Sequence, residues 1–368
     1  MRPDLRVGLL GCGLISQFAH LFALSKAQGV KLTAVCEVAE DLLEQVSRIH
    51  GVESRYSNLT QFLAEADIDA VLVATADDQH VAHAIACLRA GKHVLVEKPL
   101  SRSSAEGLSL VDVVETTGCQ LQVGNMKRFD PGIQFAHQFV QTDMGERLSV
   151  SGWYCDTALR PQMQSTLRSA PIHSTRQQSF DPIFKQNRRV YKLFTHGSHL
   201  VNTLRYFGGD IVAVEAKLAA KYDNYSWHGV IEFSDGAVGH FELTTAVSMD
   251  WLEGYSVHGE RGSIEVKSFL PFMLRGSDVR VYEAGRQEYR SPALPDSDPY
   301  ERQLEAFARA IQNGVKVTPD VYDGIADLSV LEAIQQSVET SHRVEIQPNI
   351  KLSSRPSKSN NRKRTQNE

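Results

Sequence analysis

Two histidines, one lysine and a glycine-rich turn are the residues of this chain whose types and spacing could do chemistry. His199 closes the run Thr195-His196-Gly197-Ser198-His199. Imidazole titrates near neutrality, so His199 is a candidate to take and return the proton of a substrate hydroxyl. His196 and Thr195 are candidates to assist it. A helix starting near Gly197 would put His199 in its first turn, where the positive helix end favours the neutral base. Two histidines without a placed carboxylate or cysteine do not make a metal site, so no metal is expected. Core or surface roles for either histidine stay open.

Lys98 lies in Glu97-Lys98-Pro99, just past a short apolar run. Open parallel sheets bind ligands at such strand ends. An ammonium there can hydrogen-bond a substrate hydroxyl and stabilise the alkoxide that develops as hydride leaves. Pro99 biases Lys98 towards extended backbone. The sequence does not decide whether their peptide bond is cis. A surface lysine beside a turn is the competing reading.

The glycine turn is Gly11-Cys12-Gly13-Leu14-Ile15-Ser16, between a strand from Leu5 to Leu10 and a helical stretch to about Lys26. Gly11 permits the tight turn, and Gly13 lets the backbone approach a pyrophosphate seated on the helix N-terminus. Glu37 ends the next strand and can accept from both ribose hydroxyls. It would repel a 2'-phosphate, and no Lys or Arg follows it immediately, so NAD is expected over NADP. Leu14 and Ile15 complete the turn. Thr75 and Glu97, at two further strand ends, join the expected cofactor set. A tight turn without a ligand is the alternative.

The elements that must position these groups alternate in the first third. Strands are expected at Lys31–Glu37, Ala70–Thr75, His93–Val96 and Leu121–Val123. Helices are expected at Asp41–His50, His80–Ala90 and Ser103–Thr117. Apolar strands alternating with helices predict a parallel sheet covered on both faces. Residues 1–124 therefore read as a Rossmann dinucleotide-binding domain. From 125 to 350 the chain reads as an α+β domain built on a largely antiparallel sheet. Its strands are expected at Leu148–Cys155, Val212–Ala219, Trp227–Phe233, Ala237–Thr244, Tyr255–His258, Ser263–Val266 and Val279–Tyr282. Its helices are expected at Phe135–Val140, Leu193–Phe207, Tyr300–Gln312 and Tyr322–Ser341. The polar stretch 156–187 reads as a long loop of the lid type. Residues 351–368 read as a disordered basic tail.

Composition excludes other classes. The 368 residues are 42% hydrophobic, enough for a large core. Net charge is -5, split into a tail of +5 and a body of -10, which argues against nucleic-acid binding. No apolar run is long enough to span a membrane, and no secretion signal is expected at the N-terminus. Five cysteines, none in a CxxC, fit a reducing, cytoplasmic setting.

Longer motifs bear a resemblance. VGLLGCGLIS, HVAHAIACLRAGKHVLVEKPLS, GNMKRFDP and THGSHLVNTLRYFGG, with the stretches around Leu304–Phe307 and Asp323-Gly324, resemble the glucose-fructose oxidoreductase, inositol 2-dehydrogenase and MocA family. The likeness runs from about Arg6 to Ile346. It implies an NAD(P)-dependent oxidoreductase acting on a secondary alcohol of a cyclic sugar, glycoside, sugar acid or inositol. It implies that Lys98 touches substrate and the nicotinamide region, and that His199 is the acid-base residue. Lys127 and Arg128 match a basic, substrate-side junction. Asn125 is expected at the nicotinamide pocket, and His80 matches a recurring loop residue. Thr195 stands where the family commonly has an acid, and Asn202 replaces another. With Thr195 there, a carboxylate-plus-histidine scheme is not expected. The resemblance also implies that residues 125–350 form a substrate-binding and oligomerisation domain with a large, open, mostly antiparallel sheet, and that the protein is a homodimer or homotetramer. The alternative reading, raised by Thr195, is a non-catalytic NAD-binding sensor or assembly subunit.

Overall fold

The computed structural model describes residues 3–167, 169–175 and 183–347. Its first sheet is built from β1 (Leu5–Leu10), β2 (Val30–Cys36), β3 (Ser54–Tyr56), β4 (Ala70–Val73), β5 (His93–Val96) and β6 (Leu121–Val123). The central runs are apolar on both faces, and in β4 every residue is buried, while the edge strand β3 is polar and mostly exposed. The order is β3-β2-β1-β4-β5-β6, with every pairing parallel. The direction in which successive strands are added reverses between β1 and β4. That switch point opens a crevice over the carboxyl end of β1.

The helices of this half are α1 (Leu21–Leu24), α2 (Glu40–His50), α3 (Leu59–Glu65), α4 (His80–Arg89) and α5 (Ser104–Thr117). A π-turn over Ser16–His20 precedes α1. Asn58 and Ser103 cap α3 and α5 with their side chains. Gly51 and Gly118 end α2 and α5 in the left-handed conformation. The expected alternation is present, with one addition. Ser54–Tyr56 and Leu59–Glu65 form a short strand and helix where none was expected, so the Ala70 strand is the fourth.

The second half opens with α6 (Pro131–Thr142), capped by Asp130, and β7 (Arg147–Thr157). Then come α7 (Arg160–Leu167), α8 (Ile183–Gln186) and α9 (Arg188–Gly208). The stretch expected as one long loop therefore holds two helices. β8 (Ile211–Lys221), β9 (Asn224–Phe233), β10 (Val238–Val247), β11 (Leu252–Gly259), β12 (Gly262–Ser268), β13 (Asp278–Glu283) and β14 (Glu288–Arg290) follow. The chain then runs through α10 (Pro299–Asn313), α11 (Val321–Thr340) and β15 (Val344–Glu345). Nine strands form the order β14-β13-β12-β11-β7-β10-β9-β8-β15. All neighbours are antiparallel except β7 and β10. The expected tail from 351 lies outside the described residues.

α9 and α11 cover one face of this sheet. Val150, Tyr154, Phe233, Phe241, Tyr255 and Val257 are buried. The other face carries Ser151, His240 and Glu242, and half-exposes Val230 and Val238. α11 also packs on α5 and β6 of the first sheet, so one helix joins the two halves. No described helix is long and apolar enough to cross a membrane.

Candidate active site

The glycine turn is fixed by two contacts. Gly11 has φ +95°, and a Cβ there would lie 2.6 Å from the Ala74 carbonyl oxygen. Only glycine fits both conditions. The buried Ser16 hydroxyl donates to the Gly11 carbonyl at 2.7 Å, which explains a serine at a position that must stay small. Space in front of Gly13 is open, with no atom within 4 Å of a Cβ placed there. Leu14 is half-exposed, while Ile15 packs on the core. Glu37 faces this turn. One carboxylate oxygen accepts from the Cys12 amide at 2.7 Å and the other from Ala39 at 3.0 Å. A carboxylate oxygen has two lone pairs, so each keeps one for a hydroxyl donor.

Lys98 sits on a rigid turn at the end of β5. Glu97 is buried; its Oε1 pairs with His20 Nε2 at 2.7 Å and its Oε2 accepts from the Lys98 amide at 3.0 Å. Burial pushes the Glu97 carboxyl up, but the His20 hydrogen bond and nearby positive charge hold it below its ordinary range. The Lys98–Pro99 peptide is cis. His80 lies beneath it, with Nδ1 2.8 Å from the Pro99 carbonyl and Nε2 3.2 Å from that of Thr75. The Thr75 hydroxyl contacts His83 Nδ1 at 3.0 Å. His80 and Glu97 thus have protein partners and brace the turn. Lys98 Nζ reaches across to donate to the Thr195 carbonyl at 3.3 Å. Burial lowers its pKa, against the opposing pull of Glu97 and Asp77.

α9 places the histidines, but not as expected. Asn187 caps it by accepting from Val190, so the helix starts nine residues before Gly197. His199 is therefore well inside the helix. A field at the helix end does not set its pKa. Burial does, followed by the charges of Lys98 and Lys127, and together they hold it well below 6.5. His196 is lowered in the same way, with Arg160, Lys192 and Lys98 adding to burial. Lys192, Thr195, His196 and His199 share one stripe of α9 by their spacing of three and four. The Thr195 hydroxyl donates back to the Tyr191 carbonyl at 2.7 Å, so its carbonyl rather than its hydroxyl meets Lys98. The His199 ring lies parallel to that of Tyr154, 5.9 Å apart.

A carboxylate from another element does approach one of the two histidines, His196, although Thr195 supplies none. Asp156 ends β7 with its Oδ2 3.7 Å from His196 Nε2. Arg160 pins it, with Nε at 2.8 Å and Nη2 at 2.6 Å from Oδ1. Strand parity could have found it: Val150, Gly152, Tyr154 and Asp156 share the inner face of β7.

The junction residues are buried. Lys127 pairs with Glu253, which also accepts from Trp251 Nε1 at 3.2 Å and Tyr255 OH at 2.7 Å. Arg128 donates to Asn202 Oδ1 at 2.8 Å, and Asn202 donates to Asp327 at 2.6 Å. Arg205 pairs with the same Asp327 at 2.7 Å. Asp327, from α11, supplies a carboxylate where Asn202 does not; burial pushes its pKa up. Asn125 Nδ2 reaches Asp327 at 3.5 Å, leaving its buried Oδ1 without a partner among the described residues. That orphaned acceptor, the open Gly13 and the fixed Glu37 carboxylate fit a bound dinucleotide. No group of metal-binding side chains occurs among the described residues.

Comparison with known families agrees with this geometry. Residues 5–125 match an oxidoreductase family model described as an NAD-binding Rossmann fold. Residues 192–346 match the model of its C-terminal α/β domain. The chain belongs to the Gfo/Idh/MocA oxidoreductase family. Within it, the chain is 25% identical over 360 residues to an inositol 2-dehydrogenase from Rhizobium meliloti (strain 1021), covering 93% of this chain and 99% of that one. It is 25% identical over 300 residues to an NADP-dependent D-xylose 1-dehydrogenase from Haloferax volcanii, covering 80% of this chain and 86% of that one. Levoglucosan dehydrogenase in complex with NADH and levoglucosan has the same fold, with TM-score 0.78 at 22% identity over 94% of this chain and 100% of that one. The Gfo/Idh/MocA motifs pointed to Lys98 and His199. They gave no signal for Asp156, Arg160, Lys192, Glu253 or Asp327, which the fold brings in from other elements.

Proposed function

We propose that this chain is an NAD-dependent dehydrogenase that oxidises a secondary alcohol of a cyclic sugar or polyol, or reduces the matching ketone. The observation that carries this is the meeting of Lys98 and the α9 stripe: Lys98 Nζ lies 3.3 Å from the Thr195 carbonyl, one turn before His199. Bound on Gly11, Gly13 and Glu37, with Asn125 facing its nicotinamide, NAD supplies the acceptor for two electrons and a hydrogen.

His199 takes the hydroxyl proton. Its depressed pKa keeps the ring neutral, and so ready to accept, through neutral pH. Lys98 holds the same oxygen and stabilises the negative charge that grows on it as the C–H bond breaks. The C=O bond forms from the O–H electron pair, and the proton rests on His199 until released. Glu97 and His80 hold the Lys98 turn so that its ammonium stays aimed at α9. Tyr154 and Trp251 give the pocket an aromatic wall.

Glu37 supports NAD as the preferred cofactor, since its carboxylate stands where a 2'-phosphate would have to pass. The five free, buried cysteines support a reducing, cytoplasmic setting. Half-exposed Val230 and Val238, beside a wide groove lined by Trp153, His258 and Arg280, support a homodimer or homotetramer formed through the outer sheet face.

NAD reduction followed at 340 nm across inositols, hexoses, glycosides and uronic acids tests the reading. His199→Asn should lower turnover about 10²–10⁴-fold while NADH binding persists. An unchanged rate would remove His199 from the chemistry. Cofactor binding without turnover on any compound would favour the non-catalytic sensor.

A further inference from the structure

Four cationic side chains converge on the two site histidines, and only two have a carboxylate. Lys127 is paired with Glu253, and Arg160 with Asp156. Lys98 and Lys192 have no carboxylate within 4 Å among the described residues, and Lys98 Nζ meets the Thr195 carbonyl instead. The Lys192 ammonium is half-buried and lies 3.5 Å from His196 Nε2. An ammonium donates and cannot accept, so the contact leaves most of its hydrogen-bonding capacity unused. Beside it, Arg160 stacks its guanidinium 5.3 Å from the Trp251 ring and directs only Nε and Nη2 at Asp156. Nη2 also donates to the Tyr154 hydroxyl at 3.4 Å, which leaves Nη1 as the one nitrogen of that planar fork without a partner among the described residues.

Lys98 is occupied by the reacting oxygen in the function proposed above, on which this inference rests. Lys192 is not. The charge of Asp156 reaches it, but that carboxylate is already paired with Arg160, so among the described residues Lys192 is a surplus cation, partly shielded from water, on the face of α9 that the substrate must meet. Partly buried charge without a counter-charge is costly, and a ligand that brings the missing anion relieves that cost.

From these placements we infer that the substrate carries a carboxylate, held by Lys192 with Nη1 of Arg160: a cyclic sugar acid rather than a neutral sugar or inositol. Spacing fits. Lys192 reaches to the level of His196, about one helical turn, or ~5 Å, from His199. A ring carboxylate two or three bonds from the reacting carbinol spans such a gap. One carboxylate balances Lys192 and leaves Lys98 free for the alkoxide.

Matched pairs of ligands separate charge from shape. The NADH-loaded protein would be titrated by calorimetry with glucuronate, galacturonate, their methyl esters, glucose and glucose 6-phosphate. At least one uronate should bind about 10–100-fold more tightly than its ester, the range of one charge-assisted hydrogen bond. Lys192→Gln should shrink that ratio to about threefold or less, Lys192→Arg should restore most of it, and added salt should weaken it. Equal binding of acid and ester in both pairs overturns the inference, as does a ratio untouched by Lys192→Gln. Tighter binding of the phosphate ester than of either uronate overturns the carboxylate assignment. The binding arm is independent of turnover. Oxidation of neutral compounds without acid preference would leave the dehydrogenase standing and sink the carboxylate. Lys192-dependent uronate binding without turnover on any compound would do the reverse.

Discussion

His199 owes its lowered proton affinity to burial and to two lysines rather than to a helix end. Its pKa is held well below 6.5, and that of Lys98 below 10.5, by loss of water in both cases. These shifts set the expected pH profile. kcat/KM needs His199 neutral and Lys98 charged. Its acid limb should therefore fall below pH 6.5, and its alkaline limb below 10.5. A steady-state profile from pH 4.5 to 10 measures both; an acid limb above 7 would mean another group is the base. Glu37 acts at the other end of the crevice. Its carboxylate is anchored by the Cys12 and Ala39 amides. Glu37→Ala should weaken NADH binding about 10–100-fold, as loss of charge-assisted bonds does, and narrow the gap to NADPH. Fluorescence titration with both dinucleotides reads this directly.

At the scale of elements, α9 and one connecting segment decide how the site closes. Residues 169–175 leave the substrate side and dock on the dinucleotide domain. Ile172 exchanges two hydrogen bonds with the Gln17 side chain, at 2.8 and 3.0 Å. Ser174 and Thr175 donate to Asp41, which heads α2 just beyond Glu37. The segment thus ties the helix after the glycine turn to the helix after Glu37, the two walls of the cofactor crevice. Asp41→Ala should cut this tie and raise the NADH dissociation rate several-fold in stopped-flow displacement, with little change at Lys98. An unchanged rate would mean the segment does not cover the cofactor. Much of this scale was legible in the sequence. Alternating apolar strands and helices located the first sheet, because period and turn glycines are local signals. The start of α9 was missed because Arg188, Arg189 and Lys192 make its first turns polar, and a cap by Asn187 is a single-residue signal. Asp156, Glu253 and Asp327 were missed for a different reason. Each is buried by partners remote in sequence, and strand parity marks a face without saying which charge will find its counter-charge there.

The whole molecule has buried this site in a way that links its stability to pH. His196 and His199 are neutral when folded and titrate near 6.5 when unfolded. A depressed folded pKa contributes stability that is present above the unfolded value and lost as pH falls below it. Each such histidine approaches a slope of ~1.4 kcal/mol per pH unit once the unfolded chain is protonated. Partly buried His50, His83 and His93 are also lowered by desolvation and act in the same direction, more weakly for their exposure. Asp327 opposes them. Its folded pKa is raised above 3.8, so it takes up a proton on the folded side as pH falls and returns part of the loss. Two fully buried histidines against one carboxyl leave a net loss. The urea midpoint, followed by tryptophan fluorescence, should drop clearly between pH 7.5 and 5.5. A His196→Asn, His199→Asn double variant should flatten that drop, because asparagine keeps a polar side chain there and removes the titration. A midpoint that is flat in the unaltered protein would mean that the two imidazoles gain water or counter-ions in solution. The low-dielectric pocket that keeps His199 unprotonated would then be open to solvent, and the acid limb of activity would move up to 6.5 with it.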